Sequence, residues 1–397
     1  MTRILVVSEL YWPEGRGGVL ATHLIVKLLK SLGFSITVIH GARSPEAVGG
    51  VEYVYSDLLS VRDKFRLWFN CLRLGRSGWF LRLLRGHDVL YVPRYCYPLI
   101  PVAKRLGKRV VVHLHDYQPI SYNASVPAPY EAYRGKLVEW ILEVERSKGL
   151  KNFVAASLSF WIPKLVQVWM ADADFIVCAS KRQCEIIGMT NSLKGGETFV
   201  VYNPIPLENF VGVRKNLDDV PAFLYVGGEE YIKGFRLLLK AIAMLKHKGV
   251  KLRLRFTGHY SAGSLGILRG LEDGKVRIEV YGRVPYSQLR ALHESSWGLV
   301  FPSIWEEPLP YAVVESMVSG TIPIASRVGG VPEIVGGTYA ERFLFRPGDV
   351  EGFVGRIEEV ASMRREDVQD IGARLREEAL RRFDMDKVKE QLLSIFG

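Results

Sequence analysis

Glu307 and Glu315 bracket the end of the stretch EEPLPYAVVE, residues 306–315. Pro308 and Pro310 keep a helix from starting early, because proline lacks an amide proton and fits only the first helical turn. The apolar run WGLVFPS before them reads as a strand, and YAVVESMVSG opens a helix on the loop between. Carboxylates at such an entrance can take the hydroxyls of a ligand whose anionic part meets the free N–H groups of the first turn. Acids that only complement the helix dipole are the plainer alternative.

Other residues of this kind stand where strands give way to loops. Gly15, Gly17 and Gly18 follow RILVVSEL (3–10) and precede a helical pattern, where free backbone amides favour a phosphate. The dinucleotide fingerprint GxGxxG is excluded, because its last glycine is Leu20. FLYVGGEEYIKGFRLLL sets a glycine pair at a strand end and Lys233-Gly234 just before a helix. Lys233 can reach an anion there; a solvated surface lysine is the alternative. HLHD (113–116) ends another strand, and strand alternation sends His113 and His115 to one face. No third ligand stands at metal-site spacing, so His115 is expected to touch substrate rather than a metal, with a structural histidine as the alternative. DAD (172–174) would suit a divalent ion on a diphosphate, but it precedes the strand FIVCAS and so lies at the wrong edge of the sheet. A polar strand entrance is expected there, and no metal site.

The elements that must position these residues come in two series. RILVVSEL, FSITVIHG, DVLYVP, KRVVVHLHD and DADFIVCAS (172–180) are strands of the first half, with a helix over 18–33. AFLYVGG (222–228), KLRLRFTG, RIEVYGRV, WGLVFPS and TIPIAS repeat the grammar in the second, with a helix over 235–249. Short β-rich runs separated by helices make parallel sheets with crossover helices, and ligands of such sheets sit beyond the carboxyl ends of the strands. The chain is 397 residues long, too many for one ordinary core. The break falls in 201–221, which holds three prolines and no periodicity. Two doubly wound α/β domains with a cleft between them are expected.

The net charge of +11 favours an anionic partner. No helix-turn-helix, zinc-finger or RNA-binding signature is present, so nucleic acid is not expected. Cys71, Cys96, Cys178 and Cys184 show no CxxC spacing, which fits a reducing compartment. MTRILVVSEL runs straight into a strand without a signal peptide, so a cytoplasmic location is expected. The apolar stretch 153–171 carries Pro163, Lys164 and Gln167 and reads as a buried helix rather than a membrane span. Plentiful Arg with sparse Asn and Gln points to a thermophilic source.

In their order along nearly the whole chain, these segments resemble the retaining glycosyltransferases of family 4, which have the GT-B architecture of two Rossmann-like domains. ILVVSELYWPEGRGG is similar to the family's opening strand and glycine loop, VVVHLHD to its strand ending in His-Asp, and VYNPIPLENF to its Asn-Gly-Val-Asp stretch. FLYVGGEEYIKGFRLLLKAIAML is similar to its strand, basic loop and helix. The most specific likeness is FPSIWEEPLPYAVVESMVSGTIPIASRVGGVPEIV, whose Glu307 and Glu315 meet the family's E-x7-E motif. The resemblance implies transfer of a hexose from a UDP- or GDP-linked sugar with retained configuration, and no cofactor or metal. Glu315 would hold the ribose, Glu307 and His115 the donor sugar, and Lys233 the diphosphate. Gly17 and Gly18 would approach the donor phosphate, Tyr311 would offer its amide, and Arg283 to Val284 would flank the base. It also implies that the last helix returns to the first domain, giving 1–204 plus about 380–397 on the acceptor side and 205–379 on the donor side. Two departures stand out: Gly228 replaces an arginine of the basic loop, with Arg283 or Arg327 as substitutes, and Pro310 replaces a glycine. A catalytically silent sugar-nucleotide-binding relative is therefore the alternative.

Residues 62–85, RDKFRLWFNCLRLGRSGWFLRLLR, carry seven basic residues and one acid. Phe65, Trp68, Phe69 and Leu72 share one helical face, and Trp79, Phe80 and Leu83 a second. Basic amphipathic helices rich in Trp and Phe lie on anionic membranes, so peripheral binding to the inner face of the cell membrane and a lipid-linked or glycan acceptor are expected. An ordinary crossover helix with a wet basic face is the alternative. Residues 376–396 read as one helix.

Overall fold

A computed structural model describes the chain except residues 16, 135–136, 139, 143–153, 155, 158, 191–195 and 211. Its first sheet has seven strands: β1 (Arg3–Ser8), β2 (Ser35–His40), β3 (Glu52–Tyr55), β4 (Val89–Val92), β5 (Arg109–Leu114), β6 (Phe175–Cys178) and β7 (Glu197–Val200). Its second has six: β8 (Ala222–Val226), β9 (Leu252–Thr257), β10 (Val276–Gly282), β11 (Gly298–Phe301), β12 (Ile322–Ser326) and β13 (Leu344–Phe345). All pairings within both sheets are parallel. The orders are β3-β2-β1-β4-β5-β6-β7 and β10-β9-β8-β11-β12-β13. Each order reverses beside its first strand, between β1 and β4 and between β8 and β11. Those are the switch points where the crossovers part and leave a crevice.

Alternation decides which residues meet which helices. Leu5 and Val7 of β1 join a core with Leu67, Trp68 and Cys71, while Ile4 and Val6 face Val388, Leu392, Ile395 and Phe396 on the other side of the sheet. The C-terminal helix Met385–Phe396 thus buries its apolar face on the first sheet. Residues 376–396 are two helices rather than one: Arg365–Arg382 ends at buried Phe383, and the Asp384 carboxylate caps the next by accepting from the Asp386 amide. The strand read over 3–10 stops at Ser8, and the helix read over 18–33 spans Gly17–Ser31. The buried helix read over 153–171 is described only in part, as Ile162–Met170.

The basic stretch needs a correction. Helix Lys64–Leu74 turns Trp68 into the core, where its indole N–H donates to the Tyr95 carbonyl at 2.9 Å. Phe65, Phe69 and Leu72 are exposed, so the four do not form one face. In helix Gly78–Arg85, Phe80 is buried and Trp79 exposed. A helix advances about 100° per residue, so Trp68 and Phe69 diverge.

The sheets are joined through the strand exit after β11. The Ala128 amide donates to Ile304 O at 3.0 Å and the Glu306 amide to Val126 O at 2.9 Å, around an antiparallel bridge between Pro127 and Trp305. Trp305 lies in the first domain's core. The buried Glu306 carboxylate accepts from the Tyr130 amide at 2.8 Å, Arg182 Nη2 at 3.0 Å and the Gly329 amide at 2.6 Å. Without the Glu306 carboxylate the Tyr130 and Gly329 amides lose their acceptor, at roughly 1–3 kcal/mol for each buried unsatisfied donor, while Arg182 keeps its bidentate bond to Glu131. Glu306→Ala should therefore lower the melting temperature by several degrees and speed proteolysis between the domains; unchanged melting and cleavage would show that the clamp is dispensable.

Candidate functional site

The site starts at the exit of β8. The chain passes Gly227 and Gly228, makes a turn over Tyr231–Lys233, and enters helix Phe235–His247 through Gly234. Gly234 has φ +76°, and a Cβ there would lie 1.7 Å from Pro302 O. Only glycine lets this turn rest on the exit of β11. The contact brings Lys233 Nζ to 2.7 Å from Glu307 Oε1 and 5.3 Å from the centroid of the Trp305 ring. Ser303 Oγ lies 3.0 Å from the same Oε1. The Glu307 carboxylate is buried, so these two partners are what make its charge tolerable. Its own carbonyl accepts from the Gly330 amide at 2.8 Å, and a side chain at Gly329 would meet that carbonyl at 1.8 Å.

Beyond Pro310, helix Tyr311–Val318 carries Glu315 one turn further in. Glu315 is buried, and Tyr286 OH donates to its Oε1 at 3.3 Å. Burial pushes its pKa up to about 7, against the opposing effect of the Tyr286 bond. Tyr311 donates its hydroxyl to Pro204 O at 2.9 Å, so its side chain is committed to the segment joining the two sheets.

The facing wall belongs to the first sheet. Gly17 and Gly18 lie inside the first turn of helix Gly17–Ser31, not ahead of it. A Cβ on Gly17 would sit 3.3 Å from the Tyr311 ring, and one on Gly18 would sit 2.9 Å from His115 Cβ and 3.2 Å from Arg94 Nη1. The His115 ring packs tilted on that of His113, with centroids 4.3 Å apart. Both its ring nitrogens are shielded from solvent without a hydrogen-bond partner among the described residues. Burial, then His113 and Arg94, drives its pKa well below the usual range, so the imidazole is neutral.

A second pair, half-buried Arg94 Nε to buried Glu9 Oε1 at 2.7 Å, lies beside His115 and was not singled out from the sequence. Its signal was positional only: Glu9 directly follows β1 and Arg94 follows β4. Across the two walls Gly17 meets Tyr311, within the first wall Gly18 meets His115, and within the second Lys233 meets Glu307. Arg283 instead is exposed and lines a surface cavity of about 770 Å³ with His259, Arg269 and Tyr281, while Val284 packs on the second core. Arg327 lines another of about 430 Å³ with Arg346 and Arg356. In DAD, Asp174 accepts from Lys104 Nζ at 2.6 Å and from the Val110 amide at 2.7 Å, fixing a strand entrance.

Residues 210–378 match the family of glycosyl transferases group 1. The match covers the second sheet and most of its helices, which carry Lys233, Glu307 and Glu315. The chain is 23% identical over 343 residues to a subunit of the phosphatidylinositol N-acetylglucosaminyltransferase of Arabidopsis thaliana, covering 84% of this chain and 69% of that protein. Its structure is similar to sucrose-phosphate synthase of Thermosynechococcus elongatus, with TM-score 0.75 and 16% identity over 100% of this chain and 98% of that one. It is also similar to HepE of Anabaena in complex with UDP-glucose, with TM-score 0.67 and 16% identity over 99% of each. The fold is GT-B: two parallel, Rossmann-like sheets flanked by helices.

The protonation of Glu315 gives a test of the unliganded site. Its folded pKa lies above the ordinary carboxyl value, so the folded state holds the proton to higher pH than the unfolded chain. That stabilisation is complete at acid pH and is lost as pH rises through about 7. Glu315→Gln should gain stability over wild type at pH 8 and not at pH 5, read by melting at both; an equal difference at the two pH values would contradict a raised pKa.

Proposed function

We propose that the chain is a retaining glycosyltransferase of family 4 that moves a hexose from a UDP- or GDP-linked sugar to a lipid-linked or glycan acceptor. The observation that carries this reading is the pair of half-buried Lys233 and buried Glu307 at the switch point of the second sheet, with Glu315 one helical turn beyond. In this reading the diphosphate displaces Glu307 as partner of Lys233. The freed carboxylate takes hydroxyls of the hexose, and Glu315 takes the ribose diol. The neutral His115 and the amides of the Gly17–Gly18 turn close the site from the first domain.

The acceptor oxygen bonds to the anomeric carbon while the bond from that carbon to the diphosphate oxygen breaks. The electron pair leaves with the nucleoside diphosphate, and the hydroxyl proton passes to a diphosphate oxygen. Lys233 and the N-terminus of helix Tyr311–Val318 stabilise the charge that develops on the leaving group. Among the described residues no group of three or more His, Cys, Asp or Glu side chains could hold a metal ion, and the reading needs no metal or other cofactor. The competing reading is a silent sugar-nucleotide binder. It draws on Gly228, whose φ of +62° suits glycine, leaving the basic loop with one cation fewer than the family pattern.

Release of nucleoside diphosphate from a panel of UDP- and GDP-sugars separates the two. Turnover is expected, surviving EDTA, and Lys233→Ala should reduce it on the order of 100-fold with the fold intact, as for loss of one charge-stabilising donor. Binding without release would favour the silent relative, and loss restored by Mg²⁺ would overturn metal independence.

The lipid-linked acceptor rests on the surface of the first domain. Phe65, Phe69, Leu72, Phe160, Trp161 and Val168 are exposed, and the Phe65 and Trp161 rings lie 5.9 Å apart. This patch spans two elements and adjoins the basic stretch 62–85. No helix among the described residues is long and apolar enough to cross a membrane, so peripheral contact is the form proposed. Each nearby cation adds ~1 kcal/mol on an anionic surface. Replacing Phe69 and Trp161 by Ser should weaken co-sedimentation with anionic vesicles and leave donor hydrolysis unchanged; equal binding to neutral vesicles at low salt would remove the membrane from the account.

A further inference from the structure

The edge of the second sheet ends in two arginines side by side. β12 and β13 pair in parallel, with Ala325 opposite Leu344 and Ser326 opposite Phe345. The next residue on each strand is an arginine, Arg327 and Arg346. The Arg327 amide donates to Phe345 O at 2.8 Å, so the pairing runs on to both strand exits. Like charges on neighbouring strands repel. Both side chains are exposed, and neither guanidinium makes a hydrogen bond or an ion pair among the described residues. The repulsion is left for something outside the chain to relieve.

Both arginines open on a cavity of about 430 Å³, with Leu344 and Phe345 at its base and helix Val350–Ala361 along one wall. Arg356 of that helix adds a third cation. Its Nη1 lies 2.9 Å from Glu359 Oε2, but Glu359 also pairs with Arg342, so two guanidiniums share one carboxylate. Asp349 lines the cavity and is spent on the helix cap, its Oδ1 accepting from the Gly352 amide at 2.9 Å. That cap also occupies the helix N-terminus, so any pull on an anion comes from the side chains. Four arginines thus stand against two carboxylates. The wall leaves room: a Cβ on Gly355 would meet nothing within 4 Å. The base is firm, with the Phe345 ring stacked on Phe353 at 4.6 Å between centroids.

The carboxyl ends of parallel strands are where such sheets take ligands. Lys233, Glu307 and Glu315 do not line this cavity, so the proposed donor chemistry leaves it without a task. It is nevertheless one short loop away. From Arg327 the chain runs to Gly329, whose amide donates to Glu306 Oε2 at 2.6 Å, and to Gly330, whose amide donates to Glu307 O at 2.8 Å. A ligand that holds Arg327 holds one end of the segment on which both glutamates rest.

We propose that Arg327, Arg346 and Arg356 bind a small phosphate, and that its binding braces the loop 327–330 beneath Glu306 and Glu307. A guanidinium fork meets phosphate oxygens two at a time, and a dianion cancels the surplus of two positive charges. The volume lies in the range of small-molecule pockets. The phosphate is either the free inorganic ion or the head of a small monoester whose organic part rests on Leu344 and Phe345. This assignment does not depend on the glycosyltransferase reading.

Equilibrium dialysis of the full chain against labelled inorganic phosphate, and calorimetry with phenyl phosphate, test it at constant ionic strength set with chloride. Wild type should bind one of the two saturably at one site per chain, and the tighter probe identifies the source. Replacing Arg327 and Arg346 together by Gln should weaken that probe by about tenfold or more, as for loss of charged hydrogen bonds. Both side chains are exposed and unpaired, so the variant should melt as wild type does. Lys233→Ala should bind the probe as wild type does, which separates this cavity from the donor arc. At saturation the probe should slow proteolysis between the domains in wild type and leave the double variant unaffected. No saturable binding, binding that survives the double substitution, or binding lost in Lys233→Ala instead would overturn the site. Arginine-dependent binding of polyglutamate without binding of either phosphate would overturn it too, in favour of a protein contact. Proteolysis indifferent to a bound probe would overturn the bracing of the loop.

Discussion

Two adjacent carboxylates at the exit of β11 hold opposite halves of the molecule. Consecutive side chains leaving a strand point to opposite sides, so Glu306 and Glu307 cannot share one partner. Glu306 turns to the first domain, where Arg182 and the Tyr130 amide meet it, and it also receives the Gly329 amide of its own domain. Glu307 turns to Lys233. One peptide unit therefore helps to tie the domains together, beside Glu333, which accepts from the Lys181 and Arg182 amides, and it places a carboxylate against Lys233. Gly234 and Gly329 are required around it because any side chain would drive into Pro302 O or Glu307 O. Displacing this loop would disturb the docking and the site together.

Burial of charge then decides what the site is ready to do. Lys233–Glu307 and Glu9–Arg94 are mutually compensated, and compensation is the condition for keeping ions out of water. An anionic ligand that took Lys233 would leave the Glu307 carboxylate buried, so Ser303 and ligand hydroxyls would have to satisfy it. Among the described residues Glu315 has no cation partner, and burial raises its pKa to about 7 against the Tyr286 bond. Hydroxyls that donate to it favour its ionised form, so ligand binding and proton release are coupled there.

Ten of the thirteen strands were legible because their apolar runs break at Gly, Pro or a charged residue; β3, β7 and β13, short strands at the sheet edges, were not read. Lys233 and Glu307 could be placed at strand exits, and Glu315 inside the helix that follows. What depends on contacts between distant segments was not. Glu9 and Arg94 are 85 residues apart, and they meet only because β1 pairs with β4 rather than with its successor alone. The division of labour between Glu306 and Glu307 needed the facing surface of 126–130. The amphipathic reading of 62–85 failed at Trp68 because a periodic count cannot say which arc of a two-sided helix meets the sheet. Residues 376–396 read as continuous because Phe383 and Asp384 interrupt the helix without a Gly or Pro.

The proposed nucleotide sugar lies across Lys233, Glu307 and Glu315. A crystal structure of the chain with UDP or GDP and the matching sugar nucleotide tests this placement. Diphosphate oxygens are expected within hydrogen-bond distance of Lys233 Nζ, with Glu307 released from that nitrogen, and both ribose hydroxyls on Glu315. A nucleotide seated instead in the cavity lined by His259, Arg269 and Arg283, with the Lys233–Glu307 pair intact, would contradict it.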